Sequence, residues 1–329
     1  MLKIATFNIE NLDDKSDRSN PSLDERVPVL RSALNRLDAD ILCLQEVHGQ
    51  ETAAHTKRKP DRNLAALDAV LDGTKFQQYQ RVHTTTQGGV AYDKRNLVIL
   101  SAFDIRSSQQ YRNDHIESLQ YRKVTATPPD AQADRVTWER PILHAQIDVP
   151  NVGLIHVLNL HLKSRLATNV DGQTSGHKWR TAAGWAEGYF LSSIKRVGQA
   201  LETRILIDKL FDEEPNANIV VCGDFNAQPG EVPVEAICGR VENTQNAALR
   251  SRVLISCSSG IAESARFSHI HHGQGNLLDH LLFSHSMLSR FQSAAIHNEN
   301  LHDESLPFMS DNKFPESDHA GFVARFDTR

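Results

Sequence analysis

The chain has 329 residues, of which 40% are hydrophobic and 23% charged, and its formal net charge at pH 7 is −5. This composition is that of an ordinary globular protein and excludes a broadly basic nucleic-acid coat, although an acidic site that holds a cation can still act on phosphates. No apolar run approaches the length of about 18 residues that spans a membrane, and no leader-like segment precedes the first predicted strand. We therefore expect a cytoplasmic protein without a transmembrane segment. The four cysteines show no CxxC spacing, which argues against a disulfide framework and a zinc site.

In the first half of the chain, short apolar runs and amphipathic periodicity predict strands interleaved with helices. The predicted strands are 2–7, 40–44 and a pair at 88–92 and 97–100. The predicted helices are 23–37, where Leu23, Val27 and three further leucines recur at spacings of three and four, and 64–71. The predicted loops are 13–21 and a long, polar, irregular insertion at 104–137.

The second half continues the same alternation. The predicted strands are 142–149 and 154–160, joined as a hairpin, and then 219–222, 277–284 and 321–326. The predicted helices are 197–210 and 231–238; loops are predicted at 165–185 and 297–317, and the mixed stretch 240–275 predicts no element. Because no linker-like break interrupts this pattern, we expect one α/β domain, residues 1–329, built as two halves that meet near residue 150.

Polar side chains lie at the ends of six of the predicted strands. After the buried strand 219–222, Gly223 lets the backbone turn, and Asp224 and Asn226 offer oxygen atoms that suit holding a hard cation or orienting a water. An Asx-turn after a strand would give the same local pattern. If the parallel strands share a direction, the polar ends converge, and their carboxylates would repel one another unless a cation lay among them, which favours Mg²⁺ or Mn²⁺. The other strand ends carry Asn8 with Glu10, Glu46, His161, Asp279, and Asp318 with His319.

Together, these strand ends form an ordered set of motifs that resembles the endonuclease/exonuclease/phosphatase superfamily. That family includes deoxyribonuclease-like nucleases, abasic-site endonucleases, inositol-polyphosphate phosphatases and bacterial sphingomyelinases. The match spans residues 4–319 and implies a four-layer α/β/β/α sandwich, in which two packed mixed β-sheets are flanked by helices. The motifs are Phe7-Asn8-Ile9-Glu10, Leu44-Gln45-Glu46, Asn159-Leu160-His161-Leu162-Lys163, Gly223-Asp224-Phe225-Asn226, Leu278-Asp279-His280 and Ser317-Asp318-His319.

The resemblance also implies a metal site and a site of water attack. Asp224 would orient or deprotonate the attacking water, and Asn226 would hold a phosphate oxygen. Many related sites leave the position of Glu10 out of direct contact with the metal. The implied Mg²⁺ (or Mn²⁺) ligands are Glu46 as the principal one, with Asn8, Glu10 and Asp318 around it.

Further roles concern the charge that develops on the phosphate. The resemblance implies that His319, oriented by Asp279, stabilises the transition state, and that His161 contacts the phosphate or assists the leaving group. Arg140 stands where relatives often carry a phosphate-contacting basic residue, and a surface salt bridge is the alternative for it. Lys163 follows His161 by two residues on the same strand face and is placed to reach the same phosphate.

We expect a metal-dependent phosphodiester hydrolase that acts as a monomeric nuclease on DNA or RNA, by in-line attack of an activated water. His161 together with Arg140, and the lack of a membrane-inserting aromatic hairpin, favour a nuclease, whereas the negative net charge and the aromatic content of 6% argue against one. The alternative is a phosphatase or phosphodiesterase acting on a small molecule or a lipid headgroup, of the inositol-phosphate or sphingomyelinase kind. The two readings differ in the loops 104–140, 164–195, 240–275 and 297–317.

Two local clusters stand apart from the motifs. The run His177-Lys178-Trp179-Arg180 combines positive charge with an aromatic ring, which suits stacking a base and pairing a phosphate, and a solvated loop is the alternative. His269, His271 and His272 have no accompanying cysteine pattern, so we expect loop residues near the site and no zinc.

Overall fold

The computed structural model describes residues 1–15, 21–309 and 313–329. The predicted loops 13–21 and 297–317 therefore lie partly outside the described residues. Twelve of the strands in these ranges form two six-stranded β-sheets, and the other eight form four two-stranded ribbons. No helix in the described ranges is both long and apolar enough to cross a bilayer.

The strands are, in chain order, β1 (Leu2–Leu12), β2 (Ile41–Val47), β3 (Gln50–Glu51), β4 (Arg62–Asn63), β5 (Gln80–His83), β6 (Asn96–Ser101), β7 (Asp104–Tyr111), β8 (Leu119–Tyr121), β9 (Asp134–Val136), β10 (Ile142–Val149), β11 (Gly153–His161), β12 (Thr174–Ser175), β13 (Lys178–Trp179), β14 (Asn218–Asp224), β15 (Leu254–Ser256), β16 (His269–His271), β17 (Gln274–Asn276), β18 (Asp279–Ser284), β19 (Phe291–His297) and β20 (Gly321–Phe326). The α-helices are α1 (Leu23–Leu37), α2 (Ala65–Leu71), α3 (Ala182–Glu213), α4 (Val232–Cys238), α5 (Val241–Thr244) and α6 (Leu306–Met309). Short 3₁₀ turns lie at Lys75–Gln78, Ala247–Arg252, Cys257–Gly260, Glu263–Ala265 and His285–Arg290.

Each sheet is mixed and contains one parallel pair. The strand order is β19-β20-β1-β2-β6-β5 in the first sheet and β15-β18-β14-β11-β10-β7 in the second. The parallel pairs are β1–β2, connected through α1, and β11–β14, connected through α3. Each pair with its helix is a crossover unit that brings the carboxyl ends of two strands to the same sheet edge.

Alternating side chains sort the core into layers. Leu2 and Ile4 of β1 pack between the two sheets, whereas Ala5 and Phe7 face the helices. Helices α1 and α2 cover the outer face of the first sheet, and α3 and α4 cover that of the second. Each fully buried leucine in these layers contributes roughly 2 kcal/mol. The result is the expected four-layer α/β/β/α sandwich.

Helix α1 matches its prediction at both ends. Ser22 accepts a hydrogen bond from the backbone of Glu25, whose carboxylate accepts one from Ser22 N, which is the capping box that fixes a helix start. The helix ends where Asp38 takes a left-handed conformation with φ of 45°. Leu30, Leu34 and Leu37 are buried on the face that covers the sheet.

The predicted pairing of a strand at 88–92 with the strand at 97–100 is wrong. Strand β6 pairs instead with β2 and β5. Residues 88–92 take part only in an isolated bridge between Thr85 and Ala91. Gly89 has φ of 77°, so this glycine-containing stretch forms a turn.

The expected irregular insertion at 104–137 contains regular structure. Residues 104–111 form β7, an edge strand of the second sheet paired with β10. Most of its side chains are exposed, so the alternation of polar and apolar residues that marks a half-buried strand is absent. A second ribbon, β8 with β9, follows within the same stretch.

The long helix begins earlier than predicted. Helix α3 starts at Ala182, capped by the hydroxyl of Thr181, and so includes Trp185, which we expected in a loop. Its first turns contain Gly184, Gly188 and a buried Glu187 and therefore lack a continuous apolar stripe.

The division into halves near residue 150 is also wrong. Residue 150 lies in the turn between β10 and β11, which are neighbours in the second sheet. Strand β7 already belongs to that sheet, and β19 and β20 return to the first. The hydrophobic pattern locates strands but carries no signal for the sheet that each one joins.

Candidate active site

The predicted site residues converge where the carboxyl ends of the two parallel pairs meet. Asn8 Nδ2 of the first sheet donates to Asp224 Oδ2 of the second at 3.1 Å. His161 ends β11 opposite Asp224, and Asp279 begins β18 opposite the same residue. Asp318 and His319 immediately precede β20, the neighbour of β1. The site therefore draws on both sheets.

Buried amides join the sheets just beneath the site. Gln45 Nε2 donates to Asn159 Oδ1 at 2.7 Å and to Thr6 Oγ1 at 3.0 Å. Asn159 Nδ2 in turn donates to the carbonyl oxygens of Leu44 and Val98. Because these side chains are fully buried, their satisfied hydrogen bonds fix the spacing of the two sheets at this edge.

The backbone at the site adopts unusual conformations. Glu10, Asn11, Glu46 and Asn226 have φ of 45°, 43°, 61° and 49°, in the left-handed region that most residues avoid. The register of β1 with β2 shifts between Asn8 and Leu12, so Glu10 and Glu46 lie within irregular strand ends. The sequence had predicted that both residues follow their strands. Such strain clusters at functional sites.

Asp224 occupies the centre of the arrangement. Its Oδ1 accepts a hydrogen bond from Asn226 N at 2.8 Å, and its Oδ2 accepts from the side-chain amides of Asn8 and Asn226, each at 3.1 Å. Burial raises the pKa of Asp224 to about 6, although the nearby His319 opposes this shift. A carboxylate that is oriented by amides and has a pKa near neutrality can accept a proton.

Two histidines flank Asp224 and differ in their protonation. His319 Nδ1 bonds to Asp279 Oδ2 at 2.7 Å, and its Nε2 lies 3.9 Å from Asp224 Oδ2. Burial alone would lower the pKa of His319, but the carboxylates of Asp279, Asp224 and Asp318 raise it well above its usual value. His161 Nε2 lies 3.4 Å from Asp224 Oδ2, and burial with the charge of Arg140 lowers its pKa. One imidazole is therefore cationic and the other neutral near pH 7.

The remaining acidic residues crowd beside this group. Glu10 Oε2 accepts a hydrogen bond from Asp318 N at 3.0 Å, and Glu46 Oε2 accepts one from Asn11 N at 3.0 Å. Burial and the charge of Asp318 raise the pKa of Glu10 to about 8, and burial together with Glu46 raises that of Asp318 to about 7, against the effect of His319.

These carboxylates fit a divalent cation. Asp318 Oδ1 is buried and has no hydrogen-bond partner in the described part of the chain, and buried carboxylates that repel one another are stabilised by a positive ion. Oxygen donors are the ligands of Mg²⁺ and Mn²⁺. Asn8 instead uses its oxygen to accept from Glu10 N, at 3.0 Å. Among the described residues, the groups that bring three ligand atoms within 4.8 Å of one another are His269, Asp318 and His319, and Asp224, Asp279 and His319. Glu46 and Glu10 belong to neither group, so Asp318 is the implied ligand that these groups include.

Basic residues line one side of the site. Arg140 is buried, and its Nη1 donates to the carbonyl oxygens of His161 and Leu162. Its Nη2 lies 3.8 Å from Glu139 Oε2, so it also makes the ion pair considered as the alternative, from a buried position. Its Nε and Nη2 have no hydrogen-bond partner among the described residues. Burial lowers the pKa of Lys163, and the nearby charges of Arg140, Lys195 and Arg95 lower it further, against the effect of Glu139.

The sequence analysis missed Arg95. Its Nε lies 3.9 Å from Glu46 Oε1, and its side chain is 41% exposed. The residue stands in a turn between predicted strands, where a basic residue is unremarkable, so the sequence held no signal for it.

His269, which we expected in a loop near the site, lies in a strand and contacts His319 directly. It lies in β16, forms an isolated backbone bridge with His319, and its ring centroid is 5.2 Å from that of His319. His269 Nε2 and His271 Nδ1 both lie 3.0 Å from Glu304 Oε2. The run Ser268-His269-Ile270-His271 could have suggested a strand of a ribbon. The contact of His269 with His319 joins residues far apart in the chain, so the sequence alone could not show it.

The comparison with known protein families identifies the chain. The sequence profile of the Endonuclease/Exonuclease/phosphatase family matches residues 5–319. The chain belongs to this family, which defines it as a phosphoesterase. None of the curated proteins searched matches the chain significantly.

Solved structures share the fold at low sequence identity. The chain is similar to truncated TDP2 from Caenorhabditis elegans, with 17% identity, 99% of this chain and 96% of that chain covered, and a TM-score of 0.54. It is similar to the 3′ phosphatase NExo from Neisseria, solved with a product DNA hairpin. The two sequences are 17% identical, the match covers 99% of this chain and 100% of that chain, and the TM-score is 0.52. It is also similar to the mannosyl-6-phosphatase Bt3783 from Bacteroides thetaiotaomicron VPI-5482. The two sequences are 14% identical, the match covers 99% of this chain and 100% of that chain, and the TM-score is 0.57.

Proposed function

We propose that residues 1–329 form a single, monomeric catalytic domain that hydrolyses phosphodiester bonds of nucleic acid in the presence of Mg²⁺ or Mn²⁺. The observation that carries this proposal is the environment of Asp224, which is held by the amides of Asn8 and Asn226 between a neutral His161 and a cationic His319. A general base with a charged donor 3.9 Å away suits proton transfer from a water that attacks phosphorus.

In this proposal Asp224 accepts the proton of the attacking water. Asn226 orients Asp224, because its Nδ2 donates to Asp224 Oδ2 and to the Leu162 carbonyl oxygen, each at 3.1 Å; to hold a phosphate oxygen, as the resemblance implies, it would exchange the bond to Leu162. His319, held by Asp279, donates to an equatorial oxygen and stabilises the charge of the transition state. His161, whose Nε2 lies 3.4 Å from Asp224 Oδ2, contacts the phosphate. Arg140 and Lys163 provide positive charge next to His161, where phosphate oxygens would lie.

Glu46 and Asp318 would hold the metal ion, with Glu10 and Asn8 supporting them. When bound, the ion supplies positive charge to the phosphate and to the leaving oxygen. The crowding of Glu10 and Asp318, each with a raised pKa, supports this placement, as does the partnerless oxygen of Asp318.

The preference for a diester of nucleic acid rests on the basic side of the site. Lys163, Arg140, Lys195 and Arg95 form a local positive region although the whole chain carries a net charge of −5, and Glu139, which pairs with Lys195 at 3.4 Å and Arg140 at 3.8 Å, offsets one of these charges. Such a region attracts a substrate that bears several phosphates. A monophosphorylated small molecule would engage only the residues nearest Asp224.

Model phosphate esters test the reaction class without assuming the natural substrate. We expect the wild-type protein to hydrolyse bis-p-nitrophenyl phosphate with Mg²⁺ or Mn²⁺ faster than p-nitrophenyl phosphate, and EDTA to stop the reaction. Preference for the monoester would instead favour a phosphatase that acts on a small molecule. Hydrolysis that survives EDTA would contradict the metal assignment.

A further inference from the structure

The first half of α3 carries three large side chains on its surface. Trp185, Tyr189 and Phe190 are 47%, 40% and 47% exposed. The rings of Trp185 and Tyr189 lie 5.4 Å apart with an interplanar angle of 23°, so residues four apart form a stacked pair on the helix. Phe190 lies against Tyr121 at 5.5 Å. An exposed, stacked aromatic pair such as Trp185 and Tyr189 is a candidate binding surface.

The stacked pair lies on the same face of α3 as residues that bind the segment 162–168, which follows His161 of the active site. Residues 162–168 run along this face toward the start of the helix. Three hydrogen bonds fix them: Arg196 Nη1 to the Lys163 carbonyl at 2.9 Å, Ser192 Oγ to the Leu166 carbonyl at 2.7 Å, and Thr168 N to the Gly188 carbonyl at 2.9 Å.

Helix geometry places the aromatic pair relative to the site. Trp185, Tyr189, Ser192 and Arg196 follow one another at spacings of four, three and four and so share one face. With a rise of about 1.5 Å per residue, Tyr189 lies roughly 10 Å and Trp185 roughly 16 Å along the axis from Arg196. Arg196 itself contacts the segment that adjoins His161. The pair is therefore within the reach of a short polymer bound at the site.

Positive charge accompanies this face of α3. Lys178 and Arg180, just before the helix, are exposed and make no ion pair within the described ranges. Glu187, the acidic residue between Trp185 and Tyr189, is buried, and its carboxylate accepts hydrogen bonds from Tyr121 Oη and Val124 N. The surface around the aromatic pair thus attracts a polyanion.

We propose that Trp185 and Tyr189 form a stacking platform for the bases of a single-stranded nucleic-acid segment whose scissile phosphate lies at Asp224. Lys178 and Arg180 face the sugar-phosphate backbone of that segment. Base stacking on aromatic rings tolerates any sequence, because every base has a π-face. A protein partner could also cover aromatic rings, but the cations beside the aromatic pair and the short path to the site favour a nucleic acid. This inference rests on the proposed function.

The test compares a long and a small substrate of the same site. Binding of a fluorescein-labelled twelve-nucleotide oligothymidylate is measured by anisotropy in EDTA, and hydrolysis of the unlabelled oligonucleotide and of bis-p-nitrophenyl phosphate is measured with Mg²⁺. The variants are Trp185→Ala/Tyr189→Ala, the ring-retaining Trp185→Phe/Tyr189→Phe, and Leu201→Ala as a matched control, since Leu201 is 48% exposed farther along α3.

We expect the double alanine variant to bind the oligonucleotide roughly 10- to 100-fold more weakly and to lose kcat/KM on it, with unchanged hydrolysis of bis-p-nitrophenyl phosphate. The phenylalanine variant should restore most of the affinity, and Leu201→Ala should match the wild type. Equal binding and cleavage of the oligonucleotide by wild type and double alanine variant would overturn the platform alone. Equal losses on both substrates would overturn it too, because they indicate a structural role. A wild type that neither binds nor cleaves oligonucleotides would overturn the nuclease proposal and the platform together.

Discussion

At the scale of single residues, the neighbours of Asp224 and His319 set the properties of the proposed general base and of the proposed charge-stabilising donor. Asp224 has a raised pKa because it is buried, and His319 has a raised pKa because three carboxylates surround it despite burial. Neither property could be read from sequence. The residue types and their order could be, since Asp224 follows and His319 precedes a strand that the apolar pattern predicts.

Replacing either the proposed base or the proposed charge-stabilising donor should abolish turnover without unfolding the protein. We expect Asp224→Asn and His319→Ala each to lower kcat by about 100- to 10,000-fold, the contribution typical of a general base or of a preorganised charge donor. Thermal melting monitored by circular dichroism should remain cooperative in both variants. Substantial activity in either folded variant would contradict its assigned role.

Glu46 is the principal ligand of the metal ion in the proposed mechanism. We expect Glu46→Gln to need roughly tenfold or more Mg²⁺ for half-maximal hydrolysis of bis-p-nitrophenyl phosphate, because an amide oxygen replaces a charged ligand. Glu51→Gln, at an exposed glutamate on the neighbouring strand β3, is the matched control. An unchanged Mg²⁺ titration would remove Glu46 from the metal site.

At the scale of elements, Gly223 sets how closely β14 approaches β11. Its φ is 131°, and a Cβ atom there would lie 2.0 Å from the carbonyl oxygen of Leu160. We expect Gly223→Ala to lower the free energy of unfolding by about 2 kcal/mol or more and to reduce activity, because Asp224 would be displaced from His161.

Gly230 provides the comparison for that substitution. It has φ of 86°, but no atom lies within 4 Å of the Cβ position, so Gly230→Ala introduces strain without a clash. Its cost should be about 1 kcal/mol. Urea denaturation of the two variants measures the difference, and equal losses would show that the contact with Leu160 does not matter.

The outer face of the second sheet carries a pH-sensitive pair. His144 of β10 and His156 of β11 are buried with their rings 5.2 Å apart, and His144 Nε2 lies 3.0 Å from His156 Nδ1. Burial, and secondarily the charge of His156, lowers the pKa of His144 to about 4. Because the unfolded chain binds this proton near pH 6.5 and the folded chain does not, stability should fall as the pH drops from 6.5 toward 4.

This linkage gives a measurable prediction. His144 should account for about 2 kcal/mol of the stability lost between pH 7 and pH 5. Urea denaturation at both pH values should therefore show a smaller pH dependence for His144→Asn than for the wild type. Parallel changes in the two proteins would contradict the assignment.

The sequence predicted the buried elements better than the exposed ones. The apolar runs of β10, β11, β14 and β20 and the leucine stripe of α1 marked these elements, because each buries one face or both. The edge strand β7 and the start of α3 were missed because their side chains face solvent or pack through polar groups such as Glu187. His269 escaped for a different reason, since its role depends on its bridge to His319 across the fold.

At the scale of the whole molecule, the two crossover units bring their strand ends to one edge, and the site forms only where they meet. Asn8 of one unit holds Asp224 of the other, and the Gln45–Asn159 hydrogen bond fixes the distance between them. The sequence could place each motif at a strand end, but the convergence depends on how two sheets pack. The family resemblance supplied that packing, and the fold confirms it.

Cleavage of nucleic acid tests the central claim most directly. Supercoiled plasmid, single-stranded DNA and RNA are incubated with the wild-type protein, with and without Mg²⁺ or Mn²⁺, and Asp224→Asn purified in parallel controls for a contaminating nuclease. We predict metal-dependent cleavage of at least one of these substrates by the wild type alone. No cleavage of any of them, with metal-dependent hydrolysis of bis-p-nitrophenyl phosphate intact, would contradict the nuclease assignment and point to a small-molecule or lipid phosphodiester.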